Sequence, residues 1–162
     1  LKLEIVPYRE QDHDQLVSIW ERAVRATHTF LAEHDITFYK RMVSEALPEV
    51  EVWEVLDSEG EPAGFMALDG NHIEMLFVDA DRHGQGLGRL LISQAIDIKG
   101  KHLKVDVNEQ NEGATRFYTR MGFVQTGRSE LDGSGKPFPL LHLELKLKGM
   151  KDPRERLTTQ IN

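Results

Sequence analysis

Residues 74–91 read EMLFVDADRHGQGLGRLL, and the middle of that stretch decides how the chain is built. Apolar, strand-like residues up to Val78 run into three alternate glycines, Gly84, Gly86 and Gly88, and an aliphatic helical pattern follows at once. A plain strand-to-helix turn needs one glycine; three along one side of the turn call for something close to the backbone. The dinucleotide fingerprint G-x-G-x-x-G places its third glycine one position later and opens a first β-α unit, whereas this loop follows a fourth strand. A Walker loop requires Gly-Lys-Ser/Thr, which the chain lacks. The remaining reading is a G-x-G-x-G turn whose successive N–H groups face an anion at a helix N-terminus, as a diphosphate requires.

Composition narrows the classes around that loop. With 162 residues, 40% hydrophobic and 29% charged, one soluble domain over residues 1–148 is expected, with a polar tail over 149–162. Cysteine is absent, which excludes disulfides, thiolate metal sites and a cysteine nucleophile. The seven histidines form no HExxH pattern, so no metal site is expected. A net charge of −7 argues against a nucleic-acid partner; it serves solubility and is mildly suited to a cationic substrate. No apolar run approaches the ~20 residues that span a bilayer, and the first residues form no signal-peptide core. No membrane partner and a cytoplasmic location are therefore expected.

Residues 2–7 read as a strand, and the pattern from Glu10 to Leu31 as a helix with Leu16, Ile19, Trp20, Ala23 and Val24 on one face. A second helix spans about 36–47 and stops at Pro48. Strands follow at 50–57, 63–70 and 72–79, divided by the turn SEGEP and by Gly70-Asn71. After the glycines come a helix at 87–99, a strand at 102–108, a helix at 111–121 closed by Gly122, and strands at 123–131 and 140–148. The order β-α-α-β-β-β-α-β-α-β-β predicts an α/β (α+β) fold on a mixed, mostly antiparallel sheet. Its one β-α-β crossover carries the glycines.

Two motifs then become specific. FVDADRHGQGLGRLL resembles the acyl-CoA motif of the GNAT family of N-acetyltransferases, V-x-P-x-x-[RQ]-x-x-G-x-[GA]. NEGATRFYTRMGF (111–123) resembles that family's second signature, N-x-x-A-x-x-F-Y-x-x-x-G-F, and the two stand in the family's order. VNEQNE, GRSELDGSGKPFPLLHL and ATHTFL further resemble small bacterial members of the family. Two positions depart: Ala80 stands for the usual proline and His83 for the usual arginine or glutamine. The resemblance implies the GNAT fold, with parallel strands 4 and 5 splayed to admit a pantetheine arm. It implies acetyl-CoA as cosubstrate: the backbone of Leu76, Phe77 and Val78 pairs with the arm, and His83, Gly84, Gln85, Gly86, Leu87, Gly88 and Arg89 hold the pyrophosphate. Asn111 caps the next helix on the pantetheine side, and Tyr118 points toward the sulfur.

An amine attacking a thioester needs a free lone pair, a stabilised oxyanion and a protonated leaving sulfur. With neither cysteine nor G-x-S-x-G in the chain, direct attack in a ternary complex is expected. Tyr118 is the expected general acid, and Glu74 the expected base, with His72 as a second candidate two residues earlier on the strand. The resemblance implies that the first two helices wall the substrate side, which points to Trp20, His28 and Phe30, with Phe38 beside them. The expected acceptor is a primary amine, either a protein lysine or a small molecule, and a monomer or homodimer is expected. The competing reading is a non-catalytic module that binds acyl-CoA as a signal; it needs the glycine loop but neither Tyr118 nor a base.

Overall fold

A computed structural model describes residues 3–147. The expected tail at 149–162 lies outside the described residues. The elements are β1 (Glu4–Pro7), α1 (His13–Thr27), α2 (Glu33–Ala46), β2 (Glu51–Leu56), β3 (Pro62–Asp69), β4 (His72–Val78), α3 (Leu87–Lys99), β5 (Lys104–Asn108), α4 (Glu112–Arg120), β6 (Phe123–Ser129) and β7 (Leu140–Leu145). Element order and type match the sequence reading, and the strand order is β1-β2-β3-β4-β5-β7-β6. The described residues group into two compact units, 3–69 with 74–92 and 70–73 with 93–147, so that β4 and α3 contribute to both.

In the first unit, β1 pairs with β2 and β2 with β3, both antiparallel. The apolar face read for α1 is buried as expected: Leu16, Ile19, Trp20, Ala23 and Val24 are all under 5% exposed. It packs with Leu47 of the segment after α2 and with Phe65 of β3, and Phe77 of β4 closes the cluster. The second helix begins earlier than predicted. Ala32 carries no capping oxygen, and the Asp35 carboxylate instead accepts the Ala32 N–H at 3.0 Å, so no Ser, Thr, Asn or Asp marks the start. Residues 28–31, read as the end of the first helix, form a turn in which the Leu31 N–H donates to the His28 carbonyl at 3.0 Å.

In the second unit, β4 opens parallel to β5 through His72↔Lys104 and Ile73↔Val105. β5 pairs antiparallel with β7, and β7 with β6. Val105, Val107, Phe123, Leu143 and Leu145 are buried, while Lys104 and Asp106 alternate to the other face of β5. The last strand stops at Leu145, short of the predicted 148, because its partner begins at Phe123 and the Phe123↔Leu145 pair ends the ladder.

Candidate active site

The glycine loop is set up by the residues just before it. The Asp79 N–H donates to the Ala63 carbonyl at 2.9 Å, and its carboxylate takes two hydrogen bonds from Arg22, at 2.9 and 2.8 Å. That guanidinium holds the Asp79 carboxyl below the usual range. Arg82 in turn donates to Asp57 at 2.9 Å. The short 3-10 turn at Ala80–Arg82 is thus tied to α1 on one side and to the β2–β3 turn on the other.

Gly84 and Gly86 then adopt φ of +82° and +78°, a left-handed backbone that favours glycine. A Cβ at either position would meet no atom of the described residues within 4 Å. Backbone conformation, not crowding by the protein, demands these glycines, and the main chain faces outward. Gly86 also starts α3, since its carbonyl accepts the Leu90 N–H at 3.0 Å, and Leu87 beneath it is 2% exposed. The side chains of His83, Gln85 and Arg89 are exposed. Left-handed glycines that open onto free space at the positive end of a helix dipole suit an anion.

On β4, Leu76, Phe77 and Val78 are half-buried and Glu74 is exposed. The Phe77 ring is spent on the core, edge-on to Trp20 at 6.5 Å and tilted against Phe65 at 5.9 Å. Trp20 itself is 4% exposed and belongs to that core. His28 is buried, its Nδ1 2.8 Å from the Thr27 hydroxyl and its ring 5.4 Å from Phe30. Burial lowers its pKa to about 4, so it is neutral near pH 7. Phe30 is half-buried, and Phe38 is 42% exposed on α2.

The second unit holds the remaining sequence-predicted residues. Asn111 caps α4, its side-chain oxygen accepting the Ala114 N–H at 3.1 Å. Tyr118 is 6% exposed and sits edge-on to both Phe117 and Phe123, at 5.1 and 5.2 Å. Burial raises its hydroxyl pKa far above the ordinary value of 10.0, so the proton stays on at any physiological pH. His72 lies with its Nε2 3.3 Å from Asp106. Asp106 also meets His142 Nδ1 at 2.5 Å, and His142 Nε2 meets the Ser129 hydroxyl at 2.6 Å. Sequence reasoning missed Asp106, His142, Ser129 and the Arg22–Asp79 anchor. The one available signal was the lone histidine among alternating leucines in LLHLEL. Among the described residues no group of three or more His, Cys, Asp or Glu is placed to hold a metal ion, and no helix is long and apolar enough to cross a membrane.

A seven-stranded mixed sheet with a parallel β4–β5 pair and a glycine loop leading into α3 is the fold of an acetyl-CoA-dependent N-acetyltransferase. The chain belongs to the GNAT family: residues 18–141 match the family model described as "Acetyltransferase (GNAT) domain", and the protein is an N-acetyltransferase. Within the family it is similar to the protein named "Peptidyl-lysine N-acetyltransferase YjaB" of Salmonella typhimurium. The two are 44% identical over 135 residues, which cover 83% of this chain and 92% of that protein. The Escherichia coli protein of the same name is also 44% identical, over 83% of this chain and 91% of its own length. The solution structure of apo YjaB from Escherichia coli superposes with a TM-score of 0.84 at 42% identity, covering 89% of this chain and 97% of that one. The small bacterial group suggested by the second set of motifs is thereby borne out.

Proposed function

We propose that this protein acetylates the ε-amine of lysine in a protein or peptide, taking the acetyl group directly from acetyl-CoA. The observation that carries the reading is the loop in which Gly84 and Gly86 turn their backbone outward at the start of α3. Its donors are fixed before any ligand arrives, so little ordering remains to oppose the binding of a diphosphate. Residues 83–88 and Arg89 hold the pyrophosphate, and the backbone of Leu76–Val78 receives the pantetheine arm as a strand would. Asn111 keeps the start of α4 in register for that arm.

Tyr118 protonates the departing thiolate. Its raised pKa keeps the hydroxyl protonated, and its ring contacts hold it in one rotamer. Glu74 and His72 are the candidates that the sequence offers for freeing the amine's lone pair. Phe30 lies on the acceptor side against the ring of His28, and Trp20 is buried in the core of the same unit. The kinship with peptidyl-lysine acetyltransferases supports lysine over small amines. Lysine peptides, a polyamine, free amino acids and an aminoglycoside, each incubated with acetyl-CoA, test this by CoA release and a mass gain on the acceptor. The peptide is expected to turn over fastest; a small amine preferred over every peptide would contradict the lysine assignment.

A further inference from the structure

The sheet face of the second unit carries an arrangement that no motif announced. Asp106 on β5 stands opposite His142 on β7 in the register, and His142 stands opposite Gly127 on β6. A Cβ at position 127 would lie 3.3 Å from His142 Cδ2, so glycine there gives the imidazole room to lie across the strands. Two residues on, Ser129 lies on the same face as Gly127. An ionised carboxylate only accepts hydrogen bonds. His142 Nδ1 therefore donates to Asp106, at 2.5 Å, and its Nε2 keeps a lone pair that accepts the Ser129 hydroxyl, at 2.6 Å. The other Asp106 oxygen is 3.3 Å from His72 Nε2 on β4. The side chains of Asp106 and His142 are 34% and 35% exposed and Ser129 is half-buried, so the cluster lies at the surface rather than in the core.

We propose that Ser129 and His142 form the proton relay that deprotonates the acceptor's ammonium, with Asp106 as the positioning residue behind them. This rests on the lysine acetyltransferase reading above and assigns its base. An alkylammonium donates to Ser129 Oγ. As its N–H bond breaks, Oγ takes that proton and passes its own to His142 Nε2. The amine is left with a free lone pair, and the imidazolium is stabilised by Asp106 until it releases the proton to water. The charged groups on the neighbouring strands are engaged elsewhere: Lys104 with Glu144, Lys146 with Glu144, and Arg128 with Glu109 and Glu130. Asp106 and His72 are the titratable groups in direct line with His142.

The test uses the whole protein with two acceptors: a lysine peptide, protonated at neutral pH, and its aminooxy analogue, whose terminal nitrogen arrives unprotonated. His142→Gln and Ser129→Ala are expected to lower kcat for the lysine peptide by about 10²-fold. They should leave acetyl-CoA affinity intact and spare most of the turnover of the aminooxy analogue. Asp106→Asn, which leaves Ser129 and His142 in place, should lower kcat for the lysine peptide by a smaller factor, with KM unchanged and the aminooxy analogue spared. Equal losses with both acceptors, or parent-like rates, overturn the relay; so does a loss confined to Glu74→Gln. A parent that binds acetyl-CoA yet acetylates no amine defeats the transferase reading and the relay together. A working parent with unaffected variants defeats the relay alone.

Discussion

The loop at 83–88 and the sheet face around His142 are built from opposite materials. The loop acts through main-chain groups whose directions are fixed by two left-handed glycines and by a strand end tied down at Asp79. The sheet face acts through side chains from separate strands, each placed by register and by its hydrogen bonds to the others. Backbone recognition is expected to tolerate exchange of the exposed side chains around it, such as Ala80 and His83, but not a change of φ at the glycines. A side-chain network is the reverse: the backbone is ordinary strand, and one altered functional group breaks the chain of protons. Binding and chemistry are therefore expected to fail separately.

The largest effect should come from the loop. Gly86→Ala and Gly86→Glu suffer the same backbone strain at φ +78°, but only Glu adds a negative charge beside a diphosphate. One such charge at about 5 Å and an effective dielectric near 20 opposes binding by about 3 kcal/mol. Calorimetry with acetyl-CoA should show Gly86→Glu binding about 10²-fold more weakly than Gly86→Ala. Equal affinities would remove the anion from this loop and erase the contrast.

A smaller effect concerns buried charge in the first unit. Glu54 is fully buried, and its Oε2 accepts the Arg9 N–H at 2.6 Å. Burial, reinforced by the Asp12 carboxylate, raises its pKa from 4.5 to about 8. The folded state thus keeps a proton that the unfolded chain gives up, so this contribution is full below pH 4.5 and is lost as pH rises through 8. Glu54→Gln should melt above the parent at pH 9, by several degrees for about 2 kcal/mol, and the advantage should shrink toward pH 5. His28 acts with the opposite sign: neutral when folded, with a pKa of about 4, it costs stability as pH falls below 6.5. Parallel melting curves for parent and Glu54→Gln would show that Glu54 is ionised in the fold.

The smallest effect separates structure from binding at α4. Asn111→Ala removes the cap and should cost about 1 kcal/mol, a fall of a few degrees in Tm, whereas Asn111→Asp keeps the cap. If Asn111 also serves the pantetheine arm, both variants should weaken acetyl-CoA binding. If its role is the cap alone, Asn111→Asp should bind as the parent does.

What could be read from the sequence follows the same division. The glycine loop, the α1 face and the Asn111 cap were legible because each lies within a few consecutive residues, where spacing alone carries the meaning. Ser129, His142 and Asp106 sit on three strands, and their meeting depends on a register that includes a shift between Gln125 and Gly127. No local pattern encodes that alignment. The Arg22–Asp79 pair is hidden in the same way, joining α1 to the end of β4 across more than fifty residues. Trp20 shows the converse. Its place on the first helix pointed to the acceptor side, and its ring packs against Phe77.

The separation of binding from chemistry is tested most directly by kcat of Tyr118→Phe on a lysine peptide at saturating acetyl-CoA. Phenylalanine keeps the ring between Phe117 and Phe123 and removes only the proton donor, and saturation removes any difference in binding. A fall of about 10²-fold is expected. Turnover equal to the parent's would contradict the assignment of the leaving-group proton to Tyr118, and with it the claim that the second unit performs the chemistry.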